Sequence, residues 1–350
     1  MKAAMWYGAR DIRVKEIEEP SIEPGKVKIE VQWCGICGSD LHEYLAGPIF
    51  LPQEPHPLTQ DQIPIVLGHE FSGKVIEVGE GVNAVEVGDR VTIEPILSCG
   101  TCPSCRQGYY NVCDQLGFHG LSGGGGGFSE ITIVPEYMVH KIPDSMTYEE
   151  AALVEPAAVA LHAVRRSKLK AGDNCVVFGA GPIGLLIIQA AKVAGASKIV
   201  AVEISDKRRE LAVQLGADLA LNPQKDDVTT EIKQFFKGYS SVCFEVTGVE
   251  SALNTAIETT GVAGQVVIVS LWEQNVTISP NQIVLKEREI VGSLAYRNIF
   301  PSVIKMISDH TFKLDGLVTK KIPISKIVEE GFRELAENKE QIKILVQPRD

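Results

Sequence analysis

Four cysteines lie within a stretch of fifteen residues, at Cys99, Cys102, Cys105 and Cys113. Four thiolates at this spacing, in a loop rich in turn residues, are typical of a closed tetrahedral zinc site. An iron–sulfur cluster is the main alternative because its cysteine spacing is similar, but Asp114 stands where the ferredoxin pattern has proline. Clustered thiols without a ligand would be reactive. Because four sulfurs leave no open position, we expect such a zinc site to be structural.

A glycine-rich turn follows the apolar run at residues 175–178 and precedes an apolar helical segment. This G-x-G-x-x-G pattern between a strand and a helix predicts a dinucleotide site with the phosphates at the helix N-terminus. The first glycine permits the turn, the second lets the backbone approach a pyrophosphate, and the third lets helix and strand pack closely. A purely structural turn is the alternative. The candidate cofactor-binding residues here are Gly179, Gly181, Pro182, Ile183 and Gly184.

An acidic residue, Glu203, follows Gly184 by nineteen positions, at the end of the predicted strand 199–202. Its carboxylate can accept hydrogen bonds from both ribose hydroxyls and would repel a 2′-phosphate, so the sequence favours NAD(H) over NADP(H). A solvated glutamate is the alternative. Arg208 is a candidate contact to the adenosine or the phosphates, or else an exposed helical arginine. Further candidate cofactor contacts are Val269, Leu271 and Arg297.

A second group of potential metal ligands is dispersed along the chain: Cys34, Cys37, His42, His69, Glu70 and Glu155. The two cysteines form a C-x-x-C pattern, but no thioredoxin-like βαβ pattern surrounds them, so we discount a redox pair. A lone histidine such as His69 is more often packed in a core than bound to a metal. Spacing alone does not join these residues into one site.

The elements that must position these residues change in character near residue 147. Before it, residues 27–33, 73–79 and 88–93 show period-two alternation and turn signals, which predict an antiparallel, barrel-like β domain. After a helical segment at 148–154, short β-rich runs alternate with helical segments, which predicts βαβ units and a parallel sheet. The predicted strands are residues 175–178, 199–202, 242–246, 266–269 and 290–294, and the predicted helices are residues 184–194, 206–215, 228–236 and 251–259.

Two further segments lack a clear helix or strand pattern. The tail from residue 296 to 350 ends in an extended run at residues 343–346, which we expect to return to the first domain. Five consecutive glycines at residues 123–127 predict either a backbone that turns tightly against a neighbour or a flexible surface loop.

The composition excludes several classes of partner. The chain has 350 residues, 45% of them hydrophobic, with a net charge of −11 and no Lys/Arg-rich run, so nucleic acid is not an expected partner. Glycines and a proline interrupt the most apolar stretch, residues 175–191, so it does not resemble a membrane span. The N-terminal residues lack a signal-peptide pattern. We therefore expect a cytoplasmic protein, in which the eight cysteines bind metal or remain buried thiols.

Together these motifs resemble those of the zinc-containing medium-chain alcohol/polyol dehydrogenases, over essentially the whole chain. The matching segments are residues 35–42 (G-I-C-G-S-D-x-H), 68–70, the four-cysteine lobe, 153–156, and 179–184 with Glu203. The resemblance implies an α/β architecture with a GroES-like, β-rich catalytic domain and a Rossmann, doubly wound parallel-sheet domain, and an active site in the cleft between them. We expect the catalytic domain at residues 1–150 with its zinc lobe at about 95–115, the NAD-binding domain at 151–295, and the return segment at 296–350.

The resemblance also implies a catalytic zinc held by Cys37, His69 and a carboxylate. Glu155 and Glu70 both remain candidates for that carboxylate. Cys34 matches no ligand position and is expected to be a buried thiol. With the four-cysteine site, this predicts two zinc ions per chain, one catalytic and one structural.

Ser39 and His42 match the proton-relay positions of this family. On spacing alone they would be a turn hydroxyl and a surface helix residue. Tyr44, Phe50 and Arg297 are candidate substrate contacts, and Arg297 or Glu155 could bind the second hydroxyl of a diol.

Within the family, residues 47–50, 56–58 and 123–127 look most like those of the 2,3-butanediol (acetoin) dehydrogenases. This implies NAD-dependent oxidation of a secondary alcohol or vicinal diol to the ketone, and the reverse reduction of acetoin or diacetyl. Sorbitol, another polyol or another secondary alcohol is the alternative substrate. An inactive dinucleotide-binding protein is the alternative of another class. Family members are commonly homodimers or homotetramers, so we expect one of these states.

Overall fold

The computed structural model describes residues 1–349, and its internal contacts divide the chain into two compact units. Unit 1 comprises Met1–Glu155, Phe300–His310 and the residues from Leu314 onward. Unit 2 comprises Pro156–Ile299 and Thr311–Lys313. Each unit has its own sheet and its own hydrophobic core.

Strands are numbered in chain order. They are β1 (Lys2–Gly8), β2 (Asp11–Glu16), β3 (Lys26–Gly35), β4 (Ile65–Val66), β5 (Glu70–Val78), β6 (Arg90–Ile93), β7 (Ile96–Leu97), β8 (Gly117–Phe118), β9 (Ile131–Pro135), β10 (Val139–Lys141), β11 (Asn174–Phe178), β12 (Lys198–Val202), β13 (Leu219–Leu221), β14 (Ser240–Glu245), β15 (Thr260–Ile268), β16 (Glu289–Gly292), β17 (Val318–Pro323) and β18 (Lys343–Gln347).

Helices are numbered in the same way. They are α1 (Gly38–Ala46), α2 (Pro103–Arg106), α3 (Tyr148–Ala152), α4 (Val154–Arg166), α5 (Pro182–Val193), α6 (Asp206–Gln214), α7 (Val228–Phe236), α8 (Glu250–Thr259), α9 (Pro280–Val284), α10 (Phe300–Ser308) and α11 (Glu334–Glu337). Short 3₁₀ turns add Tyr110–Val112, Glu136–Met138 and Ile324–Lys326, and a π-helical turn spans Ile327–Arg333.

Unit 1 is β-rich. Its largest sheet has the order β10-β6-β5-β3-β18-β17, with β9 also paired to β3. Most of these pairs are antiparallel, including β18 with β3, whereas β17 and β18 are parallel. Inward-facing large side chains such as Trp6, Phe71 and Phe128 fill the core, as the alternating pattern of the strands requires. The prediction of a β-rich first domain is therefore confirmed.

The pairing of β3 with β5 brings distant parts of the sequence together. Gly35 at the end of β3 pairs with Glu70 at the start of β5. Because Cys37 follows the end of β3 and His69 precedes β5, this register places the two residues near each other. Cys37 also lies directly before α1, and its backbone N–H donates to the Asp40 carboxylate in the first turn at 2.9 Å.

Unit 2 contains a six-stranded parallel sheet with the order β13-β12-β11-β14-β15-β16. This is the doubly wound arrangement, in which the strand order reverses between β11 and β14 and a crevice opens at their carboxyl ends. The sequence predicted five of these strands. It missed the three-residue strand β13, which is too short to show a pattern. Within residues 1–349, the longest helices fall short of the length and apolar character that crossing a membrane requires.

Candidate active site and metal centre

The four-cysteine lobe has the dimensions of a single-metal site. The sulfur atoms of its cysteines all lie within 4.8 Å of one another. The Cys113–Cys99 Sγ separation is 3.5 Å and the Cys102–Cys113 separation is 3.9 Å. Tetrahedral Zn–S bonds of about 2.3 Å place sulfurs about 3.8 Å apart, so the group fits one zinc ion. A cluster with several irons would hold the sulfurs farther apart.

The electrostatics of this lobe favour a bound cation. The Thr101 and Cys102 amides donate to Sγ of Cys99 at 3.4 and 3.3 Å and lower the pKa of Cys99 to about 6. Burial, together with the thiols of Cys102 and Cys113, raises the pKa of Cys105 to about 12. Several thiolates therefore cannot share this space unless a cation offsets their repulsion.

His69 lies at the centre of the second candidate site and is almost fully buried. Its Nε2 is 3.3 Å from the Ser39 hydroxyl, and Cys37 lies within hydrogen-bonding reach of the ring. Its Nδ1 is 3.4 Å from the buried Asp40 carboxylate, which is long for a strong hydrogen bond. Burial opposes the charged imidazolium, but the negative charges of Asp40 and Cys37 outweigh it and raise the pKa of His69 well above its usual range.

Glu70 is engaged by a buried lysine. Lys343 on β18 donates to both carboxylate oxygens of Glu70 at 2.8 and 2.6 Å, and both side chains are buried. Burial opposes the charge of Lys343, yet the Glu70 carboxylate raises its pKa above the usual value, with smaller effects of Cys37 and Glu155. The same interactions show that Glu155, which is also buried, lies close to this cluster.

The structure thus gathers Cys37, Ser39, His69, Glu70 and Glu155 in one region of unit 1. Their donor atoms are more widely spread than those of the cysteine lobe. Among residues 1–349, the group of at least three potential metal ligands whose donor atoms all lie within 4.8 Å of one another is the four-cysteine lobe. The ion pair with Lys343 orients the Glu70 carboxylate, and the contact with Ser39 orients the His69 ring.

The remaining residues predicted for this site differ in exposure. His42 is half-buried on α1, and Phe50 is exposed in the following loop. Tyr44 is buried in the core of unit 1, with its ring 5.1 Å from that of Phe332. It stays a candidate substrate contact. Cys34 is fully buried, as expected, and burial raises its pKa well above the usual value.

The glycine turn of unit 2 has the geometry expected of a phosphate-binding turn. Gly179 has a φ of +98°, which favours glycine. A Cβ at Gly184 would lie 1.9 Å from the Gly179 carbonyl oxygen, so this close contact of helix and turn requires glycine. Helix α5 begins at Pro182, followed by Ile183, and the free amide groups at a helix N-terminus are suited to bind an anion.

Glu203 lies beside this turn. Its carboxylate accepts hydrogen bonds from the Ala180 amide at 2.8 Å and the Ser205 amide at 3.0 Å. Glu203 also lines a cavity of about 610 Å³, together with Asp226 and Thr247. This volume suits a small-molecule ligand.

The other candidate cofactor contacts lie at several places in unit 2. The Arg208 guanidinium borders the glycine turn, since its Nη1 would lie 3.9 Å from a Cβ on Gly181. Burial lowers the pKa of Arg208, and Glu203 opposes that shift. Val269 donates its amide to the Glu245 carbonyl at 2.9 Å. Leu271 is exposed and Arg297 is half-buried.

Sequence reasoning missed several residues at these sites. Asp40 belongs to the motif at residues 35–42, and its position three residues after Cys37 could have suggested that it caps the N-terminus of α1. Lys343 lies 273 residues from Glu70, and no local sequence pattern predicts their ion pair. Asp226 and Thr247 line the cavity through loop positions that have no motif.

Known proteins resemble this chain over both of its units. Residues 23–144 match the model of the alcohol dehydrogenase GroES-like domain, and residues 182–309 match that of the zinc-binding dehydrogenase family. The chain is 55% identical to (R,R)-butanediol dehydrogenase of Bacillus subtilis (strain 168), covering 99% of this chain and 100% of that protein. The chain belongs to the zinc-binding dehydrogenase family.

A crystal structure and a second relative agree with this assignment. The crystal structure of 2R,3R-butanediol dehydrogenase from Bacillus subtilis matches with a TM-score of 0.94 and 55% identity, covering 99% of both chains. Sorbitol dehydrogenase of Bombyx mori is 34% identical over 98% of this chain and 97% of its own length. The predictions of a zinc-containing alcohol/polyol dehydrogenase and of a GroES-like plus Rossmann α/β fold are therefore confirmed.

Proposed function

We propose that this dehydrogenase catalyses the NAD-dependent, zinc-dependent oxidation of a secondary alcohol or vicinal diol to the ketone, and the reverse reduction. We further propose 2,3-butanediol and acetoin as its substrates, with diacetyl as a related one. The observation that carries the proposal is the cluster in which half-buried Cys37 and Ser39 contact the buried His69 ring. The high identity to a relative named as a butanediol dehydrogenase supports the choice of substrate.

The donor set suits a catalytic zinc. A thiolate, an imidazole and a carboxylate are common zinc ligands, and three protein ligands leave a position for substrate. We assign Cys37, His69 and Glu155 to this role because Glu70 is engaged by Lys343. When bound, zinc supplies a Lewis acid that polarises the substrate oxygen. The four-cysteine lobe would hold the second ion, which gives two per chain.

The surrounding side chains orient the ligands and move the proton. Asp40 lies 3.4 Å from Nδ1 of His69 and would orient the ring so that Nε2 can face a metal. The Ser39 hydroxyl would accept the proton of the substrate hydroxyl while it releases its own, and His42 on the same helix would pass a proton on to solvent. Phe50 and Arg297 remain candidate substrate contacts.

NAD(H) is the proposed cofactor. The amides that begin α5 would bind the pyrophosphate, and Glu203 would accept hydrogen bonds from the adenosine ribose. Ala180 and Ser205 hold the Glu203 carboxylate in place. Gly179, Gly181 and Gly184 shape the turn, and Arg208, Val269 and Leu271 are proposed as further contacts. When bound, nicotinamide accepts or donates the hydride.

We also propose a cytoplasmic homodimer or homotetramer. All eight cysteines are free thiols, which suits a reducing compartment. In unit 2, exposed Val262, Val284 and Leu285 lie on two segments joined by a hydrogen bond from the Ala263 amide to the Lys286 carbonyl. A second copy of the chain would cover this apolar surface. Sedimentation of the purified protein as a monomer would contradict the assignment.

Two alternative functions can be distinguished from this proposal by experiment. Sorbitol or another polyol is favoured by the relative named as a sorbitol dehydrogenase. An inactive dinucleotide-binding protein would share the fold and the glycine turn, but the preserved Cys37, His69 and Glu155 set disfavours it. Following NADH absorbance with each 2,3-butanediol stereoisomer, acetoin, diacetyl and sorbitol tests all three. Turnover of sorbitol alone rejects the butanediol assignment, and no turnover of any alcohol by zinc-loaded protein favours the inactive scaffold.

Cys37→Ala tests the catalytic metal site. We expect this variant to lose activity while it still binds NADH, because Cys37 lies in unit 1 and the glycine turn lies in unit 2. Cys34→Ala is the matched control, since it removes a buried thiol three residues away to which no ligand role is assigned. Normal kcat in Cys37→Ala would show that the assignment of this residue is wrong.

A further inference from the structure

Glu245 is a fully buried carboxylate at the carboxyl end of β14. It has no role in the chemistry described above. The carboxyl ends of parallel strands are where doubly wound sheets bind their ligands. A buried charge at such a position is costly unless several hydrogen bonds satisfy it.

The Glu245 carboxylate accepts hydrogen bonds from two loops. From the loop after β14, Oε1 accepts the Thr247 amide at 2.7 Å, the Thr247 hydroxyl at 2.5 Å and the Gly248 amide at 3.0 Å. From the loop after β15, Oε2 accepts the Ser270 hydroxyl. One side chain therefore fixes both loops to the end of the sheet.

The two loops also contact each other and the glycine turn. A Cβ at Gly248 would lie 3.1 Å from the Leu271 carbonyl oxygen, and a Cβ at Gly179 would lie 2.8 Å from Cγ2 of Thr247. Thr247 lines the cavity that Glu203 also lines. A movement of either loop would therefore change the surface that continues from the glycine turn.

The position of these loops indicates which half of a dinucleotide they face. Glu203 and Asp226 follow β12 and β13, on one side of the point where the strand order reverses. The Glu245 loops follow β14 and β15, on the other side. A dinucleotide that lies across this point has its adenosine on the first side and its second nucleoside on the other.

A carboxylate suits this role better than an amide. All four groups that donate to Glu245 are backbone N–H or hydroxyl groups. A carboxylate presents only acceptors to them, whereas a glutamine would turn an NH₂ group toward one loop, where a hydroxyl could accept from it but a backbone N–H could not. Charged acceptors also form stronger hydrogen bonds than neutral ones.

We propose that Glu245 is a positioning residue, which holds the loops containing Thr247 and Ser270 in the form that binds the nicotinamide half of NAD(H). The inference rests on the proposed function, since it assumes that NAD(H) is the cofactor. Because Thr247 also lines the cavity beside Glu203, it predicts that loss of the carboxylate weakens binding of the whole dinucleotide by a larger factor than binding of its adenosine half.

Glu245→Gln in the full-length, zinc-loaded protein tests this. We expect the dissociation constant for NADH to rise about tenfold, as the loss of a charge-assisted hydrogen bond would give. The dissociation constant for AMP should rise by a clearly smaller factor, since only Thr247 of the two loops' Glu245 contacts lines the cavity beside Glu203. In steady state, KM for NAD should rise more than kcat falls, with KM for the diol unchanged.

Ser270→Ala removes one donor and keeps Glu245. It should shift NADH binding in the same direction by a smaller factor, and it decides the question if Glu245→Gln does not fold.

The matched control is Glu289→Gln, the same substitution at the first residue of β16 in the same sheet. Its carboxylate accepts hydrogen bonds from Lys168 and Gln265, away from the carboxyl ends of the strands, and we expect unchanged NADH binding. NADH binding in folded Glu245→Gln equal to that of the unaltered protein would overturn the proposal. So would a parallel loss of AMP and NADH binding, which would indicate general disruption. If the unaltered protein binds no NADH, the proposed cofactor itself is wrong.

Discussion

At the scale of single residues, Glu203 has two proposed functions, binding the ribose and excluding a 2′-phosphate, and substitution can separate them. Its carboxylate is already held by the Ala180 and Ser205 amides, so it is rigid before a ligand binds. We expect Glu203→Ala to weaken NAD binding by about tenfold, because a ribose hydrogen bond to a charged acceptor is lost. The variant should also accept NADP, because the repulsion of a 2′-phosphate is removed. Comparing kcat/KM for NAD and NADP measures both effects.

Glu203→Gln is the control for this prediction. It removes the charge but keeps an oxygen for one of the two amides. Relaxed rejection of NADP with a smaller loss of NAD binding would assign the discrimination to charge. Unchanged cofactor preference in both variants would show that Glu203 does not contact the ribose.

His119 is a residue whose protonation should limit stability in acid. It is almost fully buried, its Nε2 lies 2.8 Å from the Thr132 hydroxyl, and burial lowers its pKa to about 3. The unfolded chain, with a histidine pKa of about 6.5, therefore binds more protons than the folded chain between these values. This contribution to stability is complete above about pH 6.5 and is lost as pH falls toward 3.

We expect His119→Gln to lose free energy of unfolding less steeply than the unaltered protein between about pH 6.5 and 4. Glutamine keeps a polar group near Thr132 and cannot titrate. Urea denaturation at several pH values provides the measurement. His310→Asn, at an exposed histidine, should leave the slope unchanged, and equal slopes for all three proteins would contradict the prediction.

At the scale of elements, the sequence was informative where a pattern was local. The period-two runs correspond to β3, β5 and β6, and the alternating runs correspond to five of the six strands of unit 2. The glycine run 123–127 could have been a flexible loop, but it packs closely. A Cβ at Gly125 would lie 2.6 Å from the Thr132 hydroxyl oxygen.

The long-range pairings could not be predicted from such patterns. The contact of Lys343 with Glu70 depends on β18 pairing with β3, and β3 in turn pairing with β5. No local signal specifies that order of strands. Local sequence patterns therefore offer no basis for choosing between Glu70 and Glu155, and the preference for Glu155 proposed above rests on the contact of Lys343 with Glu70.

Helix α1 links the proposed proton relay to the proposed substrate loop. It carries Ser39 and His42, and its Glu43 is fully buried. The Glu43 carboxylate accepts the amides of Ile49 at 2.8 Å and Phe50 at 2.5 Å. The loop that presents these two exposed apolar side chains is thus fixed to the helix that carries the relay.

We expect Glu43→Gln to raise KM for the diol several-fold while KM for NAD stays the same, because an amide group cannot accept both loop amides. Initial rates with varied diol and varied NAD separate the two constants. Glu54→Gln, at an exposed residue of the same loop, is the control and should change neither. An unchanged KM for the diol in Glu43→Gln would show that this loop does not bind substrate.

At the scale of the whole molecule, unit 1 contains both proposed metal sites, and their contributions should be separable. The four-cysteine lobe is joined to the main sheet through Glu94, which follows β6. Its carboxylate accepts a hydrogen bond from Tyr110 at 2.7 Å and lies 3.0 Å from the His140 ring. A zinc ion in the lobe would therefore stabilise a surface segment that is tied to unit 1 but supplies no proposed catalytic group.

We expect the unaltered protein to contain two zinc ions per chain, and Cys37→Ala and Cys102→Ser to contain one each. Cys102→Ser should lower the melting temperature by several degrees, because zinc binding contributes directly to folding. Its rate of hydride transfer, measured from pre-steady-state NADH formation, should stay close to that of the unaltered protein. Cys37→Ala should show the opposite pattern, with normal melting and no turnover. Metal analysis of the same samples shows which ion each substitution removes. A purely structural ion would affect the melting temperature and not the hydride-transfer rate. A selective loss of the hydride-transfer rate in well-folded Cys102→Ser would therefore mean that the lobe takes part in catalysis.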